Sequence, residues 1–129
     1  DGIIDRSRKI DAIYREQLKD IPGIKFPPPQ PSNVSYNYAY EPIEIIEKEF
    51  GMSRDVLYEK LKEYNVYTRR YFYPLVCDYA CYQSVAVKDP LFVARNVTKR
   101  ILTLPIYDTL SISEVNAICD VIKEIQKNN

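Results

Sequence analysis

The chain predicts a two-layer domain of the α+β or α/β kind, with helices packed on a small sheet. Apolar residues recur at helical spacing near both ends, at Ile3, Ile10, Ile13, Tyr14 and Leu18 and again at Val115, Ile118, Cys119, Ile122 and Ile125. Between Val34 and Tyr40, large and small or polar residues alternate with the two-residue period of a strand. Further short helix and strand signals follow one another between these ends, without an internal repeat. At 129 residues the chain can bury one real core, so a single compact domain is expected.

Each element has a local cause. The first helix, residues 3–18, places its apolar stripe between Arg, Lys, Asp and Glu. It stops before Ile21-Pro22-Gly23, and Pro27-Pro28-Pro29-Gln30-Pro31 forces an extended polyproline-like connection. A strand is expected within residues 33–46, with Val34, Tyr36, Tyr38 and Tyr40 on one face. Pro42 has no amide hydrogen, so that strand should end there or lie at an edge. Ser53 is placed to cap a helix running to about Tyr64, with Asp55 in its first turn. A turn at 65–68 leads into a short strand, and residues 71–82, aromatic and without a period, read as an ordered loop. Asp89-Pro90 supplies a cap and a proline at the first helical position for a helix over 91–99. Residues 101–104 read as a short strand. Ser111 and Glu114 stand at capping-box spacing before the last helix.

Composition narrows the function classes. Apolar residues at 46% and charged residues at 28% fit a soluble globular chain and exclude a disordered or collagen-like one. Lys plus Arg balances Asp plus Glu at 18 each, so no net field draws the molecule to nucleic acid or to an acidic membrane, and neither is expected as a partner. No apolar run approaches the roughly 20 residues of a membrane span. With no signal-peptide pattern either, a cytoplasmic protein is expected. Cys77, Cys81 and Cys119 lack paired metal or redox spacing and read as free thiols. Asn33-Val34-Ser35 and Asn96-Val97-Thr98 match the glycosylation pattern, a match that short sequences reach by chance. The chain opens on Asp1-Gly2-Ile3-Ile4 without an initiator Met and reads as helix at once, which predicts a segment of a larger protein.

A self-contained active site is not expected. The three glycines are scattered, there is no histidine, and no metal ligands cluster. The densest chemistry is Tyr67-Thr68-Arg69-Arg70-Tyr71-Phe72-Tyr73-Pro74-Leu75. Two guanidiniums can grip phosphate or carboxylate in a bidentate way, and tyrosines offer a flat stacking face with a hydroxyl, which suits a nucleotide-linked sugar. The same residues also read as core aromatics beside solvated arginines. Basic and aromatic interleaving suits single-stranded nucleic acid as well. The alternate tyrosines at 36–40 read either as a sheet face under helices or as a binding platform.

Taken in order, Asn37-Tyr38-Ala39-Tyr40-Glu41-Pro42-Ile43, Ser53-Arg54-Asp55-Val56-Leu57, Thr68-Arg69-Arg70-Tyr71-Phe72-Tyr73-Pro74-Leu75, Ile101-Leu102-Thr103-Leu104-Pro105-Ile106-Tyr107 and Leu110-Ser111 resemble the C-terminal part of the DegT/DnrJ/EryC1/StrS aminotransferases. The likeness spans nearly the whole chain, and the arginine-to-leucine block is its most distinctive part. Glu41 departs from it, since relatives more often carry an aromatic residue there.

The resemblance implies that residues 1–129 are the small C-terminal domain of a fold-type-I aminotransferase, its helices packed on a mostly antiparallel sheet. The large domain would supply the Schiff-base lysine and phosphate site for pyridoxal 5'-phosphate, and the small one would close over the substrate. No catalytic residue and no bound cofactor are expected in this segment; Lys60 and Lys99 sit on ordinary amphipathic helices. The full homodimeric enzyme would move an amino group, usually from glutamate, onto a keto-sugar carried by a nucleoside diphosphate, for surface polysaccharide or aminosugar biosynthesis. The arginine block resembles especially members acting on dTDP-linked 4-keto- or 3-keto-6-deoxyhexoses. Arg69, Tyr71 and Tyr73, followed by Arg70, are the expected contributors to the sugar-nucleotide pocket, and Tyr107 is expected to be structural. The alternative is a free-standing binding or dimerisation module that uses the Arg/Tyr patch. A purely structural reading makes residues 71–82 a dimer surface.

Overall fold

The computed structural model describes residues 2–85 and 88–129; the opening Asp1 lies outside them. The chain runs α1 (Gly2–Leu18), β1 (Ile24–Lys25), β2 (Glu41–Ile45), α2 (Glu47–Phe50), α3 (Arg54–Glu63), two 3-10 turns (Val76–Asp78 and Ala80–Tyr82), α4 (Phe92–Thr98), β3 (Ile101–Leu104) and α5 (Ile112–Lys127). The three strands form one antiparallel sheet in the order β1-β2-β3. Helices on a small antiparallel sheet make this an α+β domain, as the sequence predicts.

The core forms where the apolar stripes meet. Ile10, Tyr14 and Leu18 of α1 and Val115, Cys119, Ile122 and Ile125 of α5 are buried together with Ile43, Ile45, Leu102 and Leu104 of the sheet. Leu57 and Leu61 bring α3 onto the same core. The predicted caps are present: Ser53 accepts from the Val56 amide at the start of α3, and Ser111 and Glu114 form a reciprocal capping box at the start of α5. At the far end of α3, Asn65 takes a left-handed φ of 61°. The Asn65 amide then reaches Lys62 O and the Val66 amide reaches Leu61 O, which satisfies the last helical carbonyls and turns the chain back toward the sheet.

Four expectations need correction. The tyrosine-rich stretch is not the strand. Asn37 Oδ1 accepts from the Ala39 amide and Tyr38 has φ 51°, so the extended run is bent and ladder pairing starts only at Glu41. Because the bend resets the alternation, Glu41 falls on the core face with Ile43 and Ile45, and the two-residue period of the tyrosines carries no information about β2.

Pro42 lies in the central strand, opposite Thr103, rather than at an edge. The Ile45 amide points to Arg100 O next to β3, and the Ile46 amide to Gly23 O on the β1 side. Alternation therefore aims position 42 at the β1 side, and β1 pairs only with Glu44 and Ile45. The missing donor has no partner to lose. The third correction concerns α4: Asp89 Oδ1 caps the Leu91 amide at 2.8 Å and Leu91 sits at φ 53°, so the helix begins at Phe92 and Pro90 precedes it. The short strand expected after the turn at 65–68 is a single antiparallel bridge, Arg69 to Thr103.

β1 and α2 were not foreseen. Gly23 joins them: at φ 79° its Cα lies so close to Phe50 that a Cβ would overlap the Phe50 backbone, and its carbonyl accepts from the Ile46 amide at 2.7 Å.

Candidate functional site

The bridge between Arg69 and Thr103 fixes how the arginine block leaves the sheet. Arg69 and Thr103 exchange two backbone hydrogen bonds, at 3.1 and 2.8 Å. Neighbouring residues then project to opposite sides. Arg69 opens on a groove of about 410 Å³ lined by Ala39, Tyr40, Tyr67, Pro105 and Tyr107. Arg70 instead turns toward α3. The four residues expected to share one pocket therefore divide: Arg70 and Tyr73 stand together, Arg69 faces a separate groove, and Tyr71 bridges the regions by stacking on Tyr40 at 4.7 Å and Phe72 at 4.1 Å. Desolvation, and then the Tyr40 hydroxyl, hold the Tyr71 phenol above its usual value.

Arg70 and Tyr73 belong to a charged and aromatic stack built on the first turns of α3. The Arg70 guanidinium lies 4.9 Å from the Tyr58 ring and 5.1 Å from that of Tyr73, and its Nη1 donates to Asp55 Oδ1 at 3.3 Å. Beneath Tyr73, 5.0 Å from the same ring, lies the guanidinium of Arg54. Arg54 is 1% exposed, and its Nε donates to the same Asp55 oxygen at 2.9 Å. Two guanidiniums thus share one carboxylate and one ring, leaving one positive charge in excess. Such a surface suits an anionic group beside a stacked ring.

Next to the stack, Phe72, Tyr73, Pro74, Leu75, Tyr79 and Tyr82 line an open and largely apolar groove of about 760 Å³. The loop behind it is ordered by its own bonds. Thr98 Oγ1 donates to Phe72 O at 2.8 Å, and Arg95 Nη1 grips both Asp78 oxygens at 2.8 and 3.1 Å. Cys77, Cys81 and Cys119 are free thiols. Cys77 Sγ sits 3.7 Å from Arg95 Nη2. Burial pushes the Cys119 thiol up to about 12, which marks it as an inert core residue.

Arg54, Asp55 and Tyr58 were missed as site residues. A signal existed: an arginine at the first position of a helix opposes the helix dipole, and an aromatic four residues later lies on the same face. Tyr107, expected to be structural, lies half exposed at the rim of the Arg69 groove.

A pyridoxal phosphate held as an imine needs an amine aimed into a cavity and a cradle for its phosphate. Among the described residues every lysine is exposed or half-exposed, Lys60 and Lys99 included, and neither groove of the candidate site is lined by one. These residues do not fit the cofactor.

No helix among the described residues is long and apolar enough to cross a membrane, and they contain no cluster of metal-binding side chains.

Comparison with known proteins places the chain. It is 42% identical over 113 residues to the dTDP-4-amino-4,6-dideoxy-D-glucose transaminase of Escherichia coli, which covers 86% of this chain and 30% of that enzyme. It is 38% identical over 116 residues to the enzyme of that name from Shigella dysenteriae, covering 90% of this chain and 31% of the relative. The chain therefore spans about a third of the length of these relatives. The crystal structure of DesI in the presence of its TDP-sugar product superposes with a TM-score of 0.85 at 30% identity, over 95% of this chain and 31% of that one. Residues 1–123 match one family throughout, and the chain belongs to the DegT/DnrJ/EryC1/StrS aminotransferase family.

Proposed function

We propose that this chain is the substrate-covering C-terminal domain of an aminotransferase that moves an amino group from an amino acid, glutamate, onto a dTDP-linked keto-6-deoxysugar in surface polysaccharide or aminosugar biosynthesis. The observation that carries the reading is the Arg70–Tyr73–Asp55 stack beside an aromatic groove, in a chain 42% identical to a dTDP-aminosugar transaminase. Pyridoxal 5'-phosphate, when bound in the full-length enzyme, supplies the electron sink, and its lysine and phosphate site come from outside these residues. The part left to this domain is to bind, orient and exclude water.

In that role Arg70 pairs with a diphosphate oxygen while Asp55 keeps its fork from collapsing onto the surface. Tyr73 and Tyr71 offer ring faces to the sugar or base. Arg69, on the neighbouring groove, contributes a second cation to the nucleotide. Apolar side chains around the site, with Phe72 69%, Val76 65% and Phe92 73% exposed, would be covered by the rest of the enzyme or by the second subunit of a homodimer.

The test uses the full-length enzyme and the isolated chain. Arg69→Gln is expected to raise KM for the sugar nucleotide about tenfold or more, the cost of one charge-assisted contact, with the cofactor's visible absorption unchanged. Equal turnover in that variant removes Arg69 from the pocket. Transamination of a keto-sugar by the isolated chain sinks the whole reading.

A further inference from the structure

We propose that Arg54 is the positioning residue of this site: buried beneath Tyr73, it holds that ring and, through Asp55, the Arg70 guanidinium in the one arrangement that meets the substrate. The inference deepens the functional reading above and rests on it for the identity of the substrate.

The geometry shows what Arg54 holds. A guanidinium taken out of water needs acceptors, and Arg54 has three. Its Nη1 donates to Thr98 O at 3.0 Å and to Ile101 O at 2.7 Å, and its Nε to Asp55 Oδ1 at 2.9 Å. These bonds join the start of α3 to the end of α4 and to the first residue of β3. Thr98 extends the chain of contacts, since its hydroxyl carries Phe72 O, the carbonyl just before Tyr73. Tyr73 is thereby supported twice, from below by the Arg54 guanidinium and through its own backbone by Thr98.

Packing alone does not call for an arginine here. An apolar side chain of similar volume would fill the space without desolvating a charge, and a cation in the first turn opposes the helix dipole. Arg54 Nη2 even lacks a partner of its own. The arrangement is intelligible if the flat, always-charged fork is needed against the Tyr73 ring and the Asp55 oxygen that Arg70 shares. Asp55 is half exposed and would otherwise swing freely; anchored by Arg54, it presents one oxygen to Arg70, which remains 37% exposed and open to an anion.

Arg54→Lys keeps the charge and loses the fork; Leu61→Val on the same helix weakens the core without touching Tyr73. On this chain, with ring-labelled tyrosine and the Tyr73 signal identified from Tyr73→Phe, Arg54→Lys is expected to displace and broaden the Tyr73 ring resonance while Leu61→Val leaves it in place. In the full-length enzyme Arg54→Lys is expected to raise KM for the dTDP-sugar about three- to tenfold with kcat held within about twofold, the scale of one cation–ring contact and the signature of lost ground-state binding. An unmoved Tyr73 resonance overturns the proposal, and so does, where Arg70→Gln and Tyr73→Leu raise KM, a change in Arg54→Lys no larger than that of Leu61→Val. Arg70→Gln and Tyr73→Leu separate the two readings. If both leave KM unchanged the substrate assignment fails, and a displaced Tyr73 resonance in Arg54→Lys still upholds the positioning contact itself.

Discussion

Glu41 is the residue whose environment departs furthest from its chemistry. It is 1% exposed on the core face of β2, and neither carboxyl oxygen has a donor. Burial, and then the neighbouring Asp11 carboxylate, push it up to about 8, with Arg15 pulling the other way. Asp11 is itself committed to Arg15 Nε at 2.9 Å, and Tyr14, buried next to Glu41, has its phenol raised chiefly by burial. In the folded chain Glu41 keeps its proton where the unfolded chain has lost it. Folding then takes up a proton, and stability falls as pH rises from about 4.5 to about 8 and levels beyond. The loss should be a few kcal/mol, at about 1.4 kcal/mol for each tenfold displacement of the equilibrium. The urea midpoint is expected to drop between pH 5 and pH 8, and Glu41→Gln to flatten that slope; superimposable profiles for the two proteins would refute the assignment. None of this was readable from sequence, because the alternation of the tyrosines placed Glu41 on the opposite face. The site shows the same limit. Residue type brings Arg69, Arg70, Tyr71 and Tyr73 forward as candidates, but that Arg69 points away from Arg70 depends on one bridge to Thr103, and the place of Arg54 beneath Tyr73 depends on backbone carbonyls 44 and 47 residues away.

Among the elements, those that announce themselves locally were legible. α1, α3 and α5 each carry an apolar stripe and α3 and α5 a polar cap, and each formed where expected. β1 and α2, two and four residues long, are too short to show any period and exist because Gly23 lets the chain pass close to Phe50. The start of α4 slipped because a side-chain turn at Asp89 used the amide on which the helix would have begun. The capping box of α5 allows a measurement at this scale. Ser111 accepts from the Glu114 amide, and Glu114 Oε2 takes the Ser111 amide at 2.7 Å. Ser111→Ala should cost about 1 kcal/mol of unfolding free energy and lower Tm by several degrees. Since α5 packs on α1, amide exchange should quicken in both helices. A change confined to the first turn of α5 would show that the cap contributes only locally.

At the scale of the molecule, the contrast lies between a closed core and an open flank. Helices α1 and α5 share the buried core with the sheet, while Phe72, Val76, Tyr79 and Tyr82 of the candidate groove and Phe92 and Val93 of α4 stand exposed. Exposed apolar surface on this scale tends to find a partner. The isolated chain is therefore expected to self-associate at high concentration, and Phe92→Ser with Val93→Ser to reduce that association without lowering Tm. Sedimentation velocity decides it, and a strictly monomeric species over a wide concentration range would count against the expectation.

The β1 side of the sheet should take no part in such contacts. With only two residues, β1 leaves Glu41, Pro42 and Ile43 of β2 without a strand partner on that side among the described residues, the kind of ribbon edge on which stray polypeptides nucleate fibrils. Pro42 stands on that flank with nothing to donate, so an incoming strand would meet a gap in the ladder, and a proline at the centre of a sheet becomes a guard against misassembly during synthesis and storage.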